Sequence, residues 1–518
     1  MERWSYQIRS PQAEWMPRVD DRQPDMDRLA LQLCGLTKRY PGVVANDHID
    51  LEVRKNEIHA LVGENGAGKS TLMSILYGMF PPDEGSIRID GAEVEFNSPL
   101  DAMDAGLGMV FQNFKLFPSL TVAENVVYRT EPRKGRFSLD RDTANEQVVS
   151  LAKRFDLDID PTAKVEKLSV GEAQRVEIIK ALYRGADTLI LDEPTAVLTP
   201  QETDALLEVI RTLRDGGRTI VFITHKLREV MAVADRATVL RRGKVVVTRN
   251  IADTSPAELS DDMTGRHVDF GRRVRERAPG GVVLAVEHIT SSGGQAKPRV
   301  ADVSFAVHEG EIVGIAAIAG NGQEDLVHVL VGLTHADAGR ISILGTPVHA
   351  LTVEQRRKGF LAYIPDDRHL VGTAGTGSIS QNLLMGYQRL TGFQRHGWLN
   401  RASVDEHSDS LVRRYAIKVA NTGDRASSLS GGNLQKVVVA RELAHDAPLL
   451  IADQPTRGVD IGAIEFIHQQ LVEYRDRGGA ILLLSADLNE LLTLSTRIVV
   501  MNAGRVVAEL NPLATSEA

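Results

Sequence analysis

Two parts of this chain are versions of one another, and that repeat constrains the fold more than any other feature. LEVRKNEIHALVGENGAGKSTLMSILYGMFPPDEGSIRIDG, from Leu51, is matched by FAVHEGEIVGIAAIAGNGQEDLVHVLVGLTHADAGRISILG, from Phe305. LSVGEAQRVEIIKAL, from Leu168, returns as LSGGNLQKVVVAREL, from Leu429, and TLILDEPT, from Thr188, as LLIADQPT, from Leu449. Such self-similarity is the mark of one structural unit built twice. A length of 518 residues allows two to four domains at about 150 residues each.

The register between the copies locates their differences. Gly66 pairs with Gly320 and Gln112 with Asp366, an offset of 254 in both (320 − 66, 366 − 112). Ser169 pairs with Ser430 and Asp192 with Asp453, an offset of 261 (430 − 169, 453 − 192). The second copy has therefore gained about seven residues between Asp366 and Ser430, expected around the Gly-rich GTAGTGS and the polar helical stretch after it. The division reads as a polar extension over 1–28, a first unit over 29–262, a linker over 263–281, a second unit over 282–512 and a tail over 513–518. The connecting stretch, DDMTGRHVDFGRRVRERAPGG, is charged, rich in Gly and Pro and without apolar period. Its basic run RRVRER suits a solvated connector better than a phosphate or membrane contact.

Composition narrows the classes. A single cysteine, Cys34, leaves no intrachain disulfide and no Cys-based zinc site, which fits a reducing cytosol. A net charge of −9 argues against a chain whose main task is gripping nucleic acid. No window approaches the roughly 18–20 apolar residues of a membrane helix, and the N-terminus lacks an apolar signal core.

In the first copy, GENGAGKS follows the strand-like EIHALV and precedes the helix-like TLMSILYGMF, the context in which G-x-x-x-x-G-K-[ST] means a phosphate cradle. Gly66 and Gly68 would let backbone N–H groups approach phosphate oxygens at a helix N-terminus. Lys69 supplies a charge to the β/γ-phosphates and Ser70 a hydroxyl to Mg²⁺. TLILDE then reads as a buried strand ending in Asp192, a candidate metal group, and Glu193, a candidate base for the attacking water. VFITHK delivers His225, whose imidazole could bind the γ-phosphate. Each element alone has a bland reading, a chance loop, a solvated edge or a structural histidine. Their order, each after an apolar strand, favours the chemical one.

These residues resemble the ATP-binding-cassette family, and LSGGN at 429 with its variant LSVGE at 168 carries the likeness, because the Ser-x-Gly signature marks cassette ATPases among P-loop proteins. The resemblance spans about residues 30–510, once per half. It implies an α/β fold of two tandem P-loop NTPase domains, each a RecA-like α/β core with an antiparallel β subdomain and a helical signature subdomain. It also implies ATP and Mg²⁺ as ligands. Carried over by position, it extends the nucleotide-binding set to Gly63, Asn65 and Thr71. Tyr40 becomes the adenine-stacking aromatic, and Gln112 the residue linking the metal site to a membrane partner.

The family packs two cassettes head to tail, each ATP lying between one phosphate loop and the opposite signature. Site one would then join Lys69, Ser70, Gln112, Asp192, Glu193 and His225 to Ser430, Gly431, Gly432 and Asn433, the last standing where the family more often has Gln. Site two would face SVGEA, in which Val170 and Glu172 replace Gly and Gln. In the second half the roles are lost in turn: Gln323 replaces the lysine, Glu324 the serine, Asp366 the glutamine, Gln454 the base and Ala486 the histidine, and ITSSGGQAKPRVADV offers no stacking Tyr. Loss of the lysine alone removes a charge-assisted hydrogen bond worth about 1.5–3 kcal/mol. One hydrolytic site per chain is expected, with a second half that clamps.

Duplicated cassettes with GENGAGKSTLMSILYG, LTVAEN, DEPTAVLTP, ITHKL, GNGQ and LSGGNLQK look like the ATPase subunits of bacterial importers for simple sugars and nucleosides, nearest the nucleoside branch. The resemblance implies two transmembrane permease subunits, an extracytoplasmic substrate-binding protein, often a lipoprotein, and a place at the cytoplasmic face of the membrane without a spanning segment. NFKLFPSLTVAENV would meet a permease. Its Phe114, Leu116, Phe117 and Leu120 suit either that contact or the core of the helical subdomain. A soluble twin-cassette ATPase acting on ribosomes or nucleic acid is the alternative, disfavoured by the short linker and altered second site. A drug or lipid exporter is a third option, disfavoured because exporter cassettes are more often fused to membrane helices. The transported molecule, whether nucleoside, sugar or vitamin, is not written in these residues.

Overall fold

The computed structural model describes residues 29–514 except 113, 135–137, 196–197, 199, 268–273, 275–277, 294–298, 319, 350, 390–391 and 396–397. Each half has a four-stranded antiparallel sheet and a six-stranded sheet, and the strand orders of the two halves are the same. In the first half the larger sheet is centred on Ile58–Val62, with Arg236–Arg241 and Thr219–Thr224 parallel on either side, then Thr188–Asp192 and Leu107–Val110. Lys244–Asn250 adds an antiparallel edge. Ile312–Ala316 holds the central place in the second half, beside Ala480–Leu484 and Arg497–Asn502.

The central strands are short apolar runs buried on both faces: Ile58–Val62, Thr219–Thr224 and Ala480–Leu484 are buried throughout, as a parallel sheet covered by helices requires. Helices begin where the sequence provides caps. Thr121, Ser169, Ser255 and Ser378 each start a helix with a reciprocal capping box, satisfying donors at the helix end.

The expected gain of residues in the second half is real but divided. The paired caps Thr121 and Ser378 are 257 apart (378 − 121), Asp140 and Asn400 are 260 apart (400 − 140), and Ser169 and Ser430 are 261 apart (430 − 169). The first increment coincides with a π-helical turn, Arg368–Gly372, which Asp367 caps. The insertions spare the four- and six-stranded sheets, the second falling in the segment that carries a two-stranded hairpin in each half.

The segment after Gln112 splits between its two expected readings. Leu116 packs against the helical core, while Phe117 is 47% exposed with its ring tilted 5.0 Å from that of Tyr128. Phe114 and Leu120 are half-buried. Within the connecting stretch, Val274 is buried in the core of the second half. The other residues of RRVRER, the extension 1–28 and residues 515–518 lie outside the described residues.

Candidate functional site

Apart from Tyr40, which ends a strand of the antiparallel sheet, the residues singled out in the first half converge at the carboxyl ends of parallel strands, where open α/β sheets bind ligands. Ile58–Val62 runs into the loop Gly63–Gly68, and helix Lys69–Leu76 follows. Gly68 has φ 103°, and a side chain there would lie 2.3 Å from the carbonyl oxygen of Ala45, so only glycine fits. Gly322 repeats this in the second half, at φ 92° and against the carbonyl of Arg299. The second loop keeps the backbone of the first.

Lys69 is buried, and its Nζ donates to the carbonyl oxygens of Gly63 at 2.6 Å and Glu64 at 3.0 Å. Burial lowers its pKa, while Glu193 and Asp192 act in the opposite sense. Burial, then the Glu193 charge, pushes the Asp192 carboxyl up to about 6, against the pull of Lys69. His225 Nδ1 lies 3.1 Å from Glu193 Oε1, and that hydrogen bond is the main reason the Glu193 carboxyl is held below its usual range. Gln112 Nε2 donates to the other Glu193 oxygen at 3.5 Å. Glu193 has φ 44°, an uncommon backbone conformation for a non-glycine residue. The first half thus brings Lys69, Gln112, Asp192, Glu193 and His225 into one cluster. Asn65, Gly66 and Ser70 are exposed, Thr71 is half-buried, and Tyr40 is 41% exposed with its edge toward Phe80.

The second half keeps the scaffold and changes the charges. Gln454 repeats the strained turn at φ 50°, but its side-chain oxygen accepts the backbone N–H of Ala486 at 3.1 Å. A buried oxygen of Gln323 has no hydrogen-bond partner. Asp453 is buried, and burial, then Asp366 and Glu324, push its carboxyl up to about 7, with Arg457 opposing. Arg457 pairs with Asp366 at 3.6 Å.

The signatures differ in the same sense. Ser169 and Glu172 are locked into a capping box, Glu172 accepting the Ser169 N–H at 2.7 Å. Ser430 begins helix Gly431–Leu443 without such a cap. Asn433 donates to the Ser430 hydroxyl at 3.0 Å and accepts the Lys418 N–H at 2.9 Å.

Contact between the halves centres on helix Ile461–Asp476. A Cβ on Gly432 would lie 2.9 Å from a carboxylate oxygen of Asp460, that helix's cap, and one on Gly462 would lie 2.9 Å from Glu64 Oε1 of the first loop. The second signature and the first phosphate loop therefore flank one helix N-terminus. Ile461 is buried in a first-half cluster with Ala60, Val62, Leu227 and Val230, and Arg266 pairs with Glu465. Sequence reasoning passed over Glu64, Asp460 and Gly462. The signal was there in one difference, since Ile318 stands where the first loop has Glu64.

Comparison with known proteins agrees with this duplicated plan. Residues 46–196 and 300–457 match the family described as ABC transporter. The chain is 44% identical over 488 residues to the guanosine import ATP-binding protein NupO of Bacillus subtilis, covering 94% of this chain and 95% of that protein. It is also 44% identical over 511 residues to the glucose import ATP-binding protein TsgD13 of Haloferax volcanii, covering 93% of each. Its fold is similar to a solved structure of archaeal ribosome recycling factor aABCE1 with stalk protein aP1, at TM-score 0.62 and 18% identity over 92% of this chain and 90% of that one.

Proposed function

The chain belongs to the ABC transporter family, and on that premise we propose that it is the ATP-hydrolysing subunit of an importer, with one working site and one altered site. The observation that carries the reading is the cluster of Lys69, Asp192, Glu193 and His225 in the first half, set against Gln323, Asp453, Gln454 and Ala486 in the second.

The geometry supports a role for each residue. Lys69 exchanges its bonds to the Gly63 and Glu64 carbonyls for phosphate oxygens. Glu193, kept ionised by His225, is the acceptor for the proton of the attacking water. Ser430 completes the site from the opposite cassette, on the far side of the Asp460–Ala463 turn. Ser70, Asp192 and Gln112 would hold Mg²⁺. Among the described residues no group of three or more His, Cys, Asp or Glu could hold a metal, and a hydroxyl, one carboxylate and an amide oxygen suit a hard cation that shares its coordination with substrate phosphates and water. When bound, Mg²⁺ neutralises charge on the transferred phosphoryl group.

The transported molecule is proposed to be a nucleoside or a simple sugar, following the two relatives. Two transmembrane permeases and an extracytoplasmic binding protein complete the system, which puts the chain at the cytoplasmic face of a membrane. No helix among the described residues is long and apolar enough to cross one. A groove of about 200 Å³ lined by Tyr77, Met109, Phe111, Phe117 and Tyr128 lies beside the segment expected to meet a permease. Affinity purification of the tagged chain from detergent-solubilised membranes, with protein identification, tests the reading. Co-purifying multispanning permeases are expected. Sedimentation with ribosomes in their place would overturn it.

A further inference from the structure

Among the described residues, the polar contacts between the halves include one made by the phosphate loop itself, beside the Arg266–Glu465 pair. Glu64 is the second residue of that loop, and its carbonyl holds Lys69. Its carboxylate accepts the backbone N–H of Gly462, the second residue of helix Ile461–Asp476. The cap Asp460 accepts the N–H of Ala463 at 2.9 Å. Two carboxylates, one from each cassette, thus share the N-terminus of one helix, where unpaired N–H groups and the helix dipole favour anions. Lys418 of the second cassette and Arg266 near the end of the first also face Glu64. Beside this polar contact, Ile461 is buried among first-cassette side chains.

The arrangement needs both residues as they are. At 2.9 Å from Glu64 Oε1, a Cβ on residue 462 would force that carboxylate out of its place. The counterparts in the other half break both conditions, since Ile318 replaces Glu64 and Gln201 replaces Gly462, and Ile318 is 59% exposed.

We propose that Glu64 is a positioning residue of the working site, whose carboxylate caps the opposite cassette's helix so that the ATP-binding loop and the second signature are held in register. Without it, the buried Ile461 and the Arg266–Glu465 pair still join the cassettes, but the loop loses its own bond to the opposite helix. The inference rests on the reading of the first loop as the hydrolytic site. It adds a reason for the asymmetry between the sites, because Ile318 has no carboxylate with which to make the contact that Glu64 makes from the working loop.

The test is a double-mutant cycle on the full chain, with ATP turnover measured across ATP concentration and thermal unfolding followed for each variant. Glu64→Ala is expected to raise KM for ATP about five-fold, the size of one net hydrogen bond, with a smaller change in kcat. Glu64→Gln, which retains an acceptor oxygen, should restore most of the loss. Gly462→Ala should raise KM in the wild-type chain and add nothing in the Glu64→Ala chain, where the obstructing carboxylate is gone. Independent, additive effects of the two substitutions, or an unchanged KM in Glu64→Ala, would overturn the proposal. Full turnover in a Glu193→Gln control would instead overturn the reading of the site on which it rests.

Discussion

His225 Nδ1 and Glu193 Oε1 are 3.1 Å apart, and this contact fixes the carboxylate's charge as well as its direction. Removing the imidazole by His225→Ala leaves burial to act on Glu193 with less opposition. Its pKa must rise. The acid limb of the kcat–pH profile is therefore expected to move to higher pH, and kcat at neutral pH to fall by about 10²-fold. An acid limb that stays in place would show that Glu193 is not the titrating base.

Glu193→Gln is expected to reduce turnover by about 10²–10³-fold, whereas Gln454→Glu changes it less than about two-fold because Lys, Ser and His remain absent around it. Steady-state ATPase assays on the two purified variants decide the matter. Comparable turnover in both would mean that the second site hydrolyses too.

Ser430 and Ser169 begin equivalent helices with unequal consequences. Ser430→Ala removes a hydroxyl from the face of the working site and should lower turnover about ten-fold with little change in Tm. Ser169→Ala breaks a capping box, with a cost of about 1 kcal/mol in stability, and should leave turnover near wild type. Calorimetry and ATPase assays on both variants separate the two effects, and a reversed pattern would refute the pairing of the first loop with the second signature.

Asp453 links stability to pH. Its folded pKa of about 7 lies above the value of about 3.9 for a free carboxyl. A group raised in this way favours folding below its unfolded pKa, and that contribution is lost as pH rises toward 7. Asp453→Asn should therefore stabilise the protein by a few kcal/mol at pH 8 and by much less at pH 5. Denaturant titrations at the two pH values test this. An equal gain at both would exclude titration of Asp453 as the cause.

Much of this arrangement could be read from the chain because the chain says it twice. GENGAGKS and GNGQ share glycines that one neighbouring carbonyl makes obligatory, at Gly68 and Gly322, and buried strands carry Asp192 and Asp453 to matching positions. The contact of Glu64 with Gly462 has no such local trace. It joins residues that lie far apart in sequence and owes its existence to how the halves dock. The inward turn of Leu116 beside the exposed Phe117, and the burial of Val274 within a charged stretch, likewise depend on neighbours that no periodicity announces. The three-step division of the extra residues was hidden because the flanking motifs record only their total.

Val274 ties the connector into the core of the cassette that it precedes, and through that connector the two unlike halves are parts of one translated product. Separate polypeptides would have to be made in equal amounts, and chance assembly would yield pairs of like halves in which the wrong loop met the wrong signature. Joining them raises their mutual effective concentration to the millimolar range and fixes their ratio at one to one at the moment of synthesis. The cell need not match the expression of two genes, nor sort their products.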